Sequence, residues 1–551
     1  MTDGILVHDV DAEVDTVTNE ETVAVGHVDD IDEESRKNLR DHLRRTINYS
    51  RDTNVFTGSI GSTAPGRRKG KDVDLNELSL DTNTPSTYKP REYFVLTDAG
   101  KPVFTSRDEG DESGSLSSTM GIVQALLSVF LDDGDKLRCI NAGKSRITFL
   151  LRTPLYYVCA SSWGEPESVT RSHLEYLHLQ ILSIVTAAQL RRIFERRTNF
   201  DLRRLLNGAE PFLFSLLERM EFDLAIATAS LHCLQMDPNL RARAADSLVP
   251  MTKIKDILYI ILVAQGRVIT LVRPKKHSIH PADLHILVNT IYSPSIFNSP
   301  ASASWIPVCL PKFNPSGFVN AYITFLRRPD SNSSSTAATT ELSSDGNPVE
   351  GSENASDDEN SATPIATSAP RPVSNAFNSD ASIGLVCISG GGEFETIRGW
   401  CDTVAQKLGK DGTLNSISKA MSSGKTDYSV SQLSIPGLRH FVYKSRPLVQ
   451  ITSPIFEEPY EDLNARRRVI TLYQTLHDAI HAKSGQDSTL KLQYIQTEKE
   501  ITMGWLTQPF ELYIAFSPRL PKSAVIGAAN AVVRWVKKEE GQLFLRDAPV
   551  F

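Results

Sequence analysis

Two glycine-rich segments contain the residue types that bind phosphate in other proteins. Residues 141–146, NAGKSR, end like a loop of the form GxxxxGK[ST], in which backbone N–H groups and a lysine hold nucleotide phosphates. Arg138 replaces the first glycine, and a strand pattern follows Ser145 where a helix N-terminus would have to face the anion. We therefore interpret the segment as a hairpin turn, and nucleotide binding through Lys144 is the least favoured hypothesis.

The second segment is SGGGEFE at residues 389–395, between an apolar run and a predicted helix. This context suits a dinucleotide loop of the form GxGxxG. Glu395 occupies the position of the third glycine, however, and Glu393 adds a charge that would repel a pyrophosphate. A flexible turn from strand to helix is the favoured interpretation.

The histidines and cysteines give no local pattern of a metal or catalytic site. His173 and His178 are five residues apart, which is wrong for one helical face, and no HExxH motif occurs. His277, His280 and His285 surround a predicted helix start with no cysteine nearby. The six cysteines occur singly, which argues against a disulfide framework or a zinc site. We expect no cofactor, no metal and no covalent chemistry.

Two basic clusters are stronger candidates for binding. They consist of Arg273, Lys275 and Lys276 after one predicted hairpin, and of Arg466, Arg467 and Arg468 at the start of a predicted helix. Near an anionic leaflet each such residue contributes about 1 kcal/mol, so six would hold a protein at a membrane surface. A solvated charged turn is the equal alternative for either cluster. Nucleic acid is disfavoured, because aromatic residues are not interleaved with the basic ones.

The elements that must position these residues recur three times. Strand-turn-strand patterns at 93–106, 259–272 and 441–453 are each followed by a helix, a three-strand meander and closing helices. The order β-β-α-β-β-β-α predicts an α+β fold with three domains, each an antiparallel five-stranded sheet covered by helices. We expect extra helices between Phe200 and Asp246 in the first domain.

Two polar, charged segments set the domain boundaries. Residues 1–90 are predicted to be a disordered tail. Within it, residues 33–49 are predicted to form either a basic amphipathic helix that docks on a membrane or partner, or a transient helix in solvent. Residues 329–382 are predicted to be an unstructured insertion. Residues 1–35 contain twelve acidic residues and no lysine or arginine, so the tail could compete with anionic ligands for the basic remainder. The predicted domains are residues 91–250, residues 251–425, interrupted by the insertion, and residues 426–551.

The chain shows no pattern of a targeting peptide or a membrane span. Its N-terminus, MTDGILVHDVDAEV, is acidic, unlike a signal peptide, and its most apolar stretch is interrupted by Gln265, Gly266 and Arg267. We therefore expect a cytoplasmic protein whose membrane contact is peripheral.

The first helix of the first repeat is apolar around most of its circumference. Its apolar residues are Met120, Ile122, Val123, Leu126, Leu127, Val129 and Phe130. Such a helix is usually buried on more than one side. The sheet covers one side, so either the extra helices after Phe200 or a partner protein must cover the other.

Four strings carry a resemblance to a known family: INAGKSRITFLLRTPLYYVCASS, WIPVCLPKFNPSGFVNAYITFL, GLVCIS and VVRWVKKEEGQLFL. They resemble the Mon subunits of the Mon–Ccz complexes, the vacuolar fusion protein family, over most of residues 91–551. The resemblance implies three longin domains and a heterodimer with a Ccz-type longin subunit. It further implies a guanine nucleotide exchange factor for the late-endosomal and vacuolar Rab GTPase, which supports endosome maturation, vacuole fusion and autophagy.

The family also implies where partners bind. Recruitment is by the early-endosomal Rab and by phosphatidylinositol 3-phosphate and other anionic lipids, on late endosomes and vacuoles. The first longin domains of both subunits form the GTPase-binding surface, so we name Met120, Gln124 and Leu127 of the first helix as candidate contacts. An exchange factor acts by binding the nucleotide-free GTPase more tightly than the loaded one. The alternative is a longin scaffold of a tether or coat without exchange activity.

Overall fold

The computed structural model describes residues 87–107, 113–132, 134–250, 256–298, 303–326, 383–484 and 488–546. The predicted tail up to residue 86, including its helix at 33–49, and the predicted insertion lie outside the described residues. Within the described ranges, no helix has the length and apolar character needed to span a bilayer.

The predicted order β-β-α-β-β-β-α is confirmed in all three repeats. The first sheet contains β1 (Glu92–Thr97), β2 (Pro102–Thr105), β3 (Cys139–Ala142), β4 (Ser145–Arg152) and β5 (Leu155–Ser161). A two-residue strand, β6 (Leu231–His232), precedes the second sheet, which contains β7 (Ile257–Ala264), β8 (Arg267–Val272), β9 (Ala303–Val308), β10 (Val319–Leu326) and β11 (Ile383–Ser389). The third contains β12 (Leu438–Ser445), β13 (Gln450–Thr452), β14 (Leu492–Gln496), β15 (Ile501–Leu506) and β16 (Phe510–Phe516).

Within each sheet the first hairpin pairs with the last strand of the meander, giving the orders β2-β1-β5-β4-β3, β8-β7-β11-β10-β9 and β13-β12-β16-β15-β14. The helices of the first domain and its extension are α1 (Ser113–Leu131), α2 (Glu167–Ile184), α3 (Ala187–Arg196), α4 (Arg203–Leu206), α5 (Glu210–Phe222), α6 (Leu224–Ala227) and α7 (Pro238–Leu248). The later ones are α8 (Pro281–Ile291), α9 (Pro294–Phe297), α10 (Phe394–Lys410), α11 (Thr413–Ser422), α12 (Leu463–His481), α13 (Lys522–Lys538) and α14 (Glu540–Leu543).

The helical segment that closes the first repeat is divided into two helices at Val185 and Thr186. Val185 leaves the helical conformation, and the side chain of Thr186 accepts a hydrogen bond from the backbone N–H of Gln189 at 3.2 Å. A threonine at this position satisfies one of the free N–H groups at a helix start, so a new helix begins there.

Helices cover the two faces of the first sheet unequally. On one face, α1 packs over Phe94, Leu96 and Phe149. On the other face, α2 to α5 bury a larger cluster around Tyr157 and Leu177. The extra helices after Phe200 therefore lie on the opposite side of the sheet from α1.

The third sheet has six strands, one more than predicted, because β6 pairs with β13 in parallel. The next residue, Cys233, forms a bridge to Val268 of β8, so this short segment joins the second and third sheets. Arg241 of α7 secures the same junction, since its guanidinium donates to the carbonyl oxygens of Leu234 at 2.6 Å and Gln542 at 3.0 Å. A strand of two residues has too little alternation to be recognised in a sequence.

Candidate partner interface

The structure places the three candidate contacts of α1 differently from our expectation. Met120 and Leu127 are buried in the cluster between α1 and the first sheet, with Leu127 fully covered. Gln124 is half-buried, and its Nε2 donates to the backbone oxygen of Asp98 at 3.2 Å. These side chains therefore attach α1 to its own domain, and Met120 and Leu127 are buried between the helix and the first sheet.

The opposite side of α1 is exposed and apolar. Ile122 is 60% exposed. Ala125 is also exposed, and Val129 is half-buried. Ile122, Ala125 and Val129 follow one another at spacings of three and four residues, which places them on one helical face. We call these three residues the outer face of α1.

The equivalent helices of the other two domains show what normally covers this position. All eleven residues of α8 are buried, as are twelve of the nineteen residues of α12. In both cases the covering elements are α2 and α5 of the first domain, which pack against α8 and against α12. In the part of α1 whose side chains the structure describes, only Met120, Val123 and Leu127 are buried. Among the described residues, the outer face of α1 therefore lacks the cover that its two counterparts have.

The basic cluster at the start of α12 faces inward. Arg468 forms two hydrogen bonds to Glu500, at 2.7 and 3.2 Å, and Glu500 is completely buried. Arg467 pairs with Glu221 of α5. Arg466 stacks over the ring of Phe456 at 4.9 Å. The carboxylates of Glu221 and Glu500 already engage the guanidinium groups of Arg467 and Arg468. We therefore revise the prediction that these two arginines bind anionic lipid.

The other basic cluster is divided between core and surface. Arg273 is buried at the end of β8. Lys275 and Lys276 are exposed in the turn before α8. The predicted joint patch is therefore reduced to these two lysines, because Arg466 stacks on Phe456, Arg467 pairs with Glu221 of the first domain and Arg468 pairs with Glu500 inside the third domain.

The glycine-rich segments behave as the sequence indicates. Gly143 and Lys144 form the turn of the β3–β4 hairpin, where Gly143 has a φ of +62°, a conformation that glycine adopts without strain. Residues 390–393 link β11 to α10, and the N–H of Gly392 donates to the side chain of Ser389 at 2.8 Å. Neither segment places a helix N-terminus and a lysine around one point, so neither supports a nucleotide site.

A cleft of about 380 Å³ opens where the three domains meet, and Phe222, Arg219, Arg267 and Phe456 are among the residues that line it. Both arginines are already paired, Arg219 with Asp223 at 2.9 Å and Arg267 with Asp427 at 2.8 Å. The cleft therefore does not favour a phosphate ligand.

Three of the histidines named from the sequence, His173, His178 and His285, are hydrogen-bonded inside the fold. His173 and His178 contact the hydroxyls of Tyr93 and Tyr157, at 2.9 and 2.8 Å. Burial lowers the pKa of His178 to about 4. His285 lies 2.8 Å from the backbone oxygen of Ser230, which fixes it against the first domain. Their role in the described structure is to join helices to sheets and domains to one another.

Comparisons with known proteins agree with this architecture. The first, second and third longin domain models of FUZ, MON1 and HPS1 match residues 91–216, 255–346 and 437–540. The chain is 44% identical to vacuolar fusion protein MON1 of Cryptococcus neoformans var. neoformans serotype D, over 94% of this chain and 74% of the relative. It is 31% identical to the MON1 homolog A of Gallus gallus, over 95% of this chain and 81% of the relative. It is 33% identical to the MON1 homolog A of Homo sapiens, over 82% of this chain and 60% of the relative.

Proposed function

Because the chain belongs to the MON1 family of vacuolar fusion proteins, we propose that it is one subunit of a heterodimeric guanine nucleotide exchange factor. Its relatives support a role in vacuole fusion. The finer proposal is that its complex with a Ccz-type longin subunit activates the late-endosomal and vacuolar Rab GTPase. In this role it supports endosome maturation and autophagy, and the early-endosomal Rab recruits it.

The outer face of α1 is the observation that carries this proposal. Ile122 and Ala125 expose apolar surface on a helix whose counterparts, α8 and α12, are covered by helices of the same chain. Burying apolar surface contributes about 25 cal/mol per Å², so a second protein that covers this face gains free energy by doing so. A similarly built longin subunit supplies helices of the required kind. We infer that the partner docks here and that the two first domains together form the platform for the GTPase.

The proposed activity requires no catalytic residue in this chain. The complex accelerates GDP release by binding the nucleotide-free GTPase more tightly than the loaded form, which shifts the population toward the open state. The nucleotide stays with the GTPase throughout. A subunit of this kind needs no phosphate loop, and its Gly143-Lys144 segment forms only a hairpin turn.

We propose that Lys275 and Lys276 contact anionic lipid, including phosphatidylinositol 3-phosphate, at the endosomal or vacuolar surface. Reversing both charges, with Lys275→Glu and Lys276→Glu, is expected to weaken binding to liposomes that contain this lipid. Each lysine contributes about 1 kcal/mol, so the loss is expected to be about thirtyfold or more. Exchange in solution should be unchanged. Liposome flotation and a solution exchange assay measure the two effects separately.

A matched control changes the same net charge elsewhere. Arg191 and Arg192 are exposed on α3, so replacing both with glutamate alters the total charge equally. If this control weakens liposome binding as much as the lysine variant, the effect is one of overall charge, and the assignment to the turn before α8 is wrong.

The scaffold alternative makes a different prediction for Rab binding. An exchange factor binds the nucleotide-free Rab GTPase in preference to the GDP-loaded and GTP-loaded forms, whereas a tether or coat scaffold is indifferent or prefers the GTP form. We expect the purified heterodimer to retain the vacuolar Rab when EDTA removes its Mg²⁺ and nucleotide, and to release it on addition of GTP. Equal retention of all three forms would favour the scaffold.

A further inference from the structure

Two histidines and a carboxylate meet in the third domain, away from α1. His477 and His481 lie on α12, and Glu511 lies on β16. Residues four apart in a helix occupy the same face one turn apart, and the two imidazole ring centroids are 4.5 Å from each other. We propose that these three side chains bind one divalent transition-metal ion, for which zinc best matches the donors.

The distances between the donor atoms are close to those of a zinc site. Nε2 of His481 lies 3.2 Å from Oε2 of Glu511, and Nδ1 of His477 lies 4.0 Å from the same oxygen. One donor atom from each residue lies within 4.8 Å of the other two. Zinc forms bonds of about 2.0–2.2 Å to nitrogen and oxygen in tetrahedral geometry, which separates neighbouring donors by roughly 3.3 Å. A small rotation of the His477 side chain closes the remaining difference, and water supplies the fourth ligand.

The protonation state of the cluster suits a cation. Burial lowers the pKa of His477 well below its ordinary value, so this ring is neutral. Burial alone would raise the pKa of Glu511, but the hydrogen bond from His481 and the charge of Lys444 hold it below its ordinary range. Zinc binds neutral imidazoles and ionised carboxylates. Without metal, the N–H of His481 donates to Glu511, and the ion takes the place of that proton.

A neighbouring hydroxyl contacts two of the ligands. The hydroxyl of Tyr513 lies 2.7 Å from Nδ1 of His477 and donates to Oε2 of Glu511 at 3.1 Å. Nδ1 has either one lone pair or one proton, so binding the ion there breaks its contact with Tyr513. The hydrogen bond from Tyr513 to Glu511 can remain, and it fixes the orientation of that ligand.

Two cations oppose the metal and limit its affinity. Nζ of Lys444 and Nε of Arg446 lie 3.5 and 3.8 Å from Glu511, both on Oε1. The histidines face the other oxygen, Oε2, which leaves that atom for the ion. Asp478 occupies the position that glutamate has in an HExxH motif, but Ser168 and Ser484 donate to its carboxylate. The site is thus suited to binding an ion and not to activating water.

Zinc titration of the full chain in competition with a chromogenic chelator tests the proposal. We expect one zinc ion per chain at this site, and His481→Asn should weaken that binding by about tenfold or more, since the loss of a ligand costs at least as much as the loss of a supporting group. His178→Asn is the matched control. His178 contacts the hydroxyl of Tyr157 at 2.8 Å, much as His477 contacts the hydroxyl of Tyr513. The His178→Asn substitution should leave zinc binding unchanged.

Cobalt absorption of the unmodified protein gives a second measurement that does not depend on a variant folding correctly. Tetrahedral cobalt bound by imidazole and carboxylate should give visible absorption bands, and added zinc should remove them. The proposal is overturned by equal zinc binding in the intact and His481→Asn proteins, by the absence of zinc binding, or by the absence of these bands.

Discussion

Replacing Ile122 with aspartate is expected to prevent the chain from co-purifying with its longin partner while leaving its own fold intact. Ile122 is the most exposed residue of the outer face of α1, at 60%, so the isolated chain loses little stability when this side chain becomes polar. In the complex the new carboxylate would be buried without a hydrogen-bond or ion-pair partner. Replacing a key interface residue typically costs about 2 kcal/mol or more of binding free energy. The affinity should therefore fall by about thirtyfold or more, as measured by co-purification and by sedimentation of the mixed subunits.

The matched control is Ile526→Asp on α13. Ile526 is 50% exposed, so this substitution makes the same chemical change on a helix at the surface of the third domain. It should leave partner binding and thermal stability unchanged. If Ile122→Asp forms the heterodimer as well as the unmodified chain does, the outer face of α1 is not the docking surface. Loss of binding in the Ile526 variant alone would move the surface to α13.

Reversing the charge of Arg468 is expected to destabilise the protein, and any loss of liposome binding should follow from that. Arg468 forms two hydrogen bonds to Glu500, which has no exposed surface. Arg468→Glu would place two carboxylates in contact inside the third domain. Breaking a buried ion pair by removing one partner typically costs about 3–5 kcal/mol, and a like charge adds to this cost. Urea denaturation followed by tryptophan fluorescence should show the unfolding midpoint of the variant at a clearly lower concentration.

The lysine variant, Lys275→Glu with Lys276→Glu, is the comparison for this experiment. Both lysines are exposed, so their replacement should lower liposome binding with no change in the urea midpoint. The two variants should thus separate stability from lipid contact. An unchanged midpoint in Arg468→Glu together with lost liposome binding would contradict the buried placement and restore the lipid role predicted from the sequence.

The repeat order was predictable because three independent segments repeat it. The hairpin at 93–106, the strand-like sequence after Ser145 and the turn at Gly143 follow from local alternation and turn residues, and the structure confirms them. The parallel pairing of Leu231 with Gln450 could not be predicted, because it depends on residues that are distant in sequence. The break at Thr186 depends on a single capping side chain in an otherwise helical pattern.

The sites were less predictable than the fold. The sequence showed that α1 is apolar on most of its circumference, but it could not decide which side faces the sheet, so Leu127 was chosen where Ile122 is exposed. Runs of basic residues likewise do not show where the acidic partners are. Glu221 and Glu500 are distant in sequence from Arg467 and Arg468, which they neutralise.

The sequence shows that His477 and His481 are four residues apart, but two histidines at this spacing give no strong signal of a metal site without a third ligand. The fold supplies that ligand by bringing Glu511 of β16 beside α12.

The rate of GDP release from the vacuolar Rab GTPase tests the central proposal most directly. The Rab is loaded with a fluorescent GDP analogue and mixed with the purified heterodimer and excess GTP, and the decay of fluorescence is compared with that of the Rab alone. We expect release at least about tenfold faster than the intrinsic rate, which corresponds to about 1.4 kcal/mol of barrier. Intrinsic release in the presence of a fully assembled heterodimer would contradict the proposal that this chain is a subunit of an exchange factor for that GTPase.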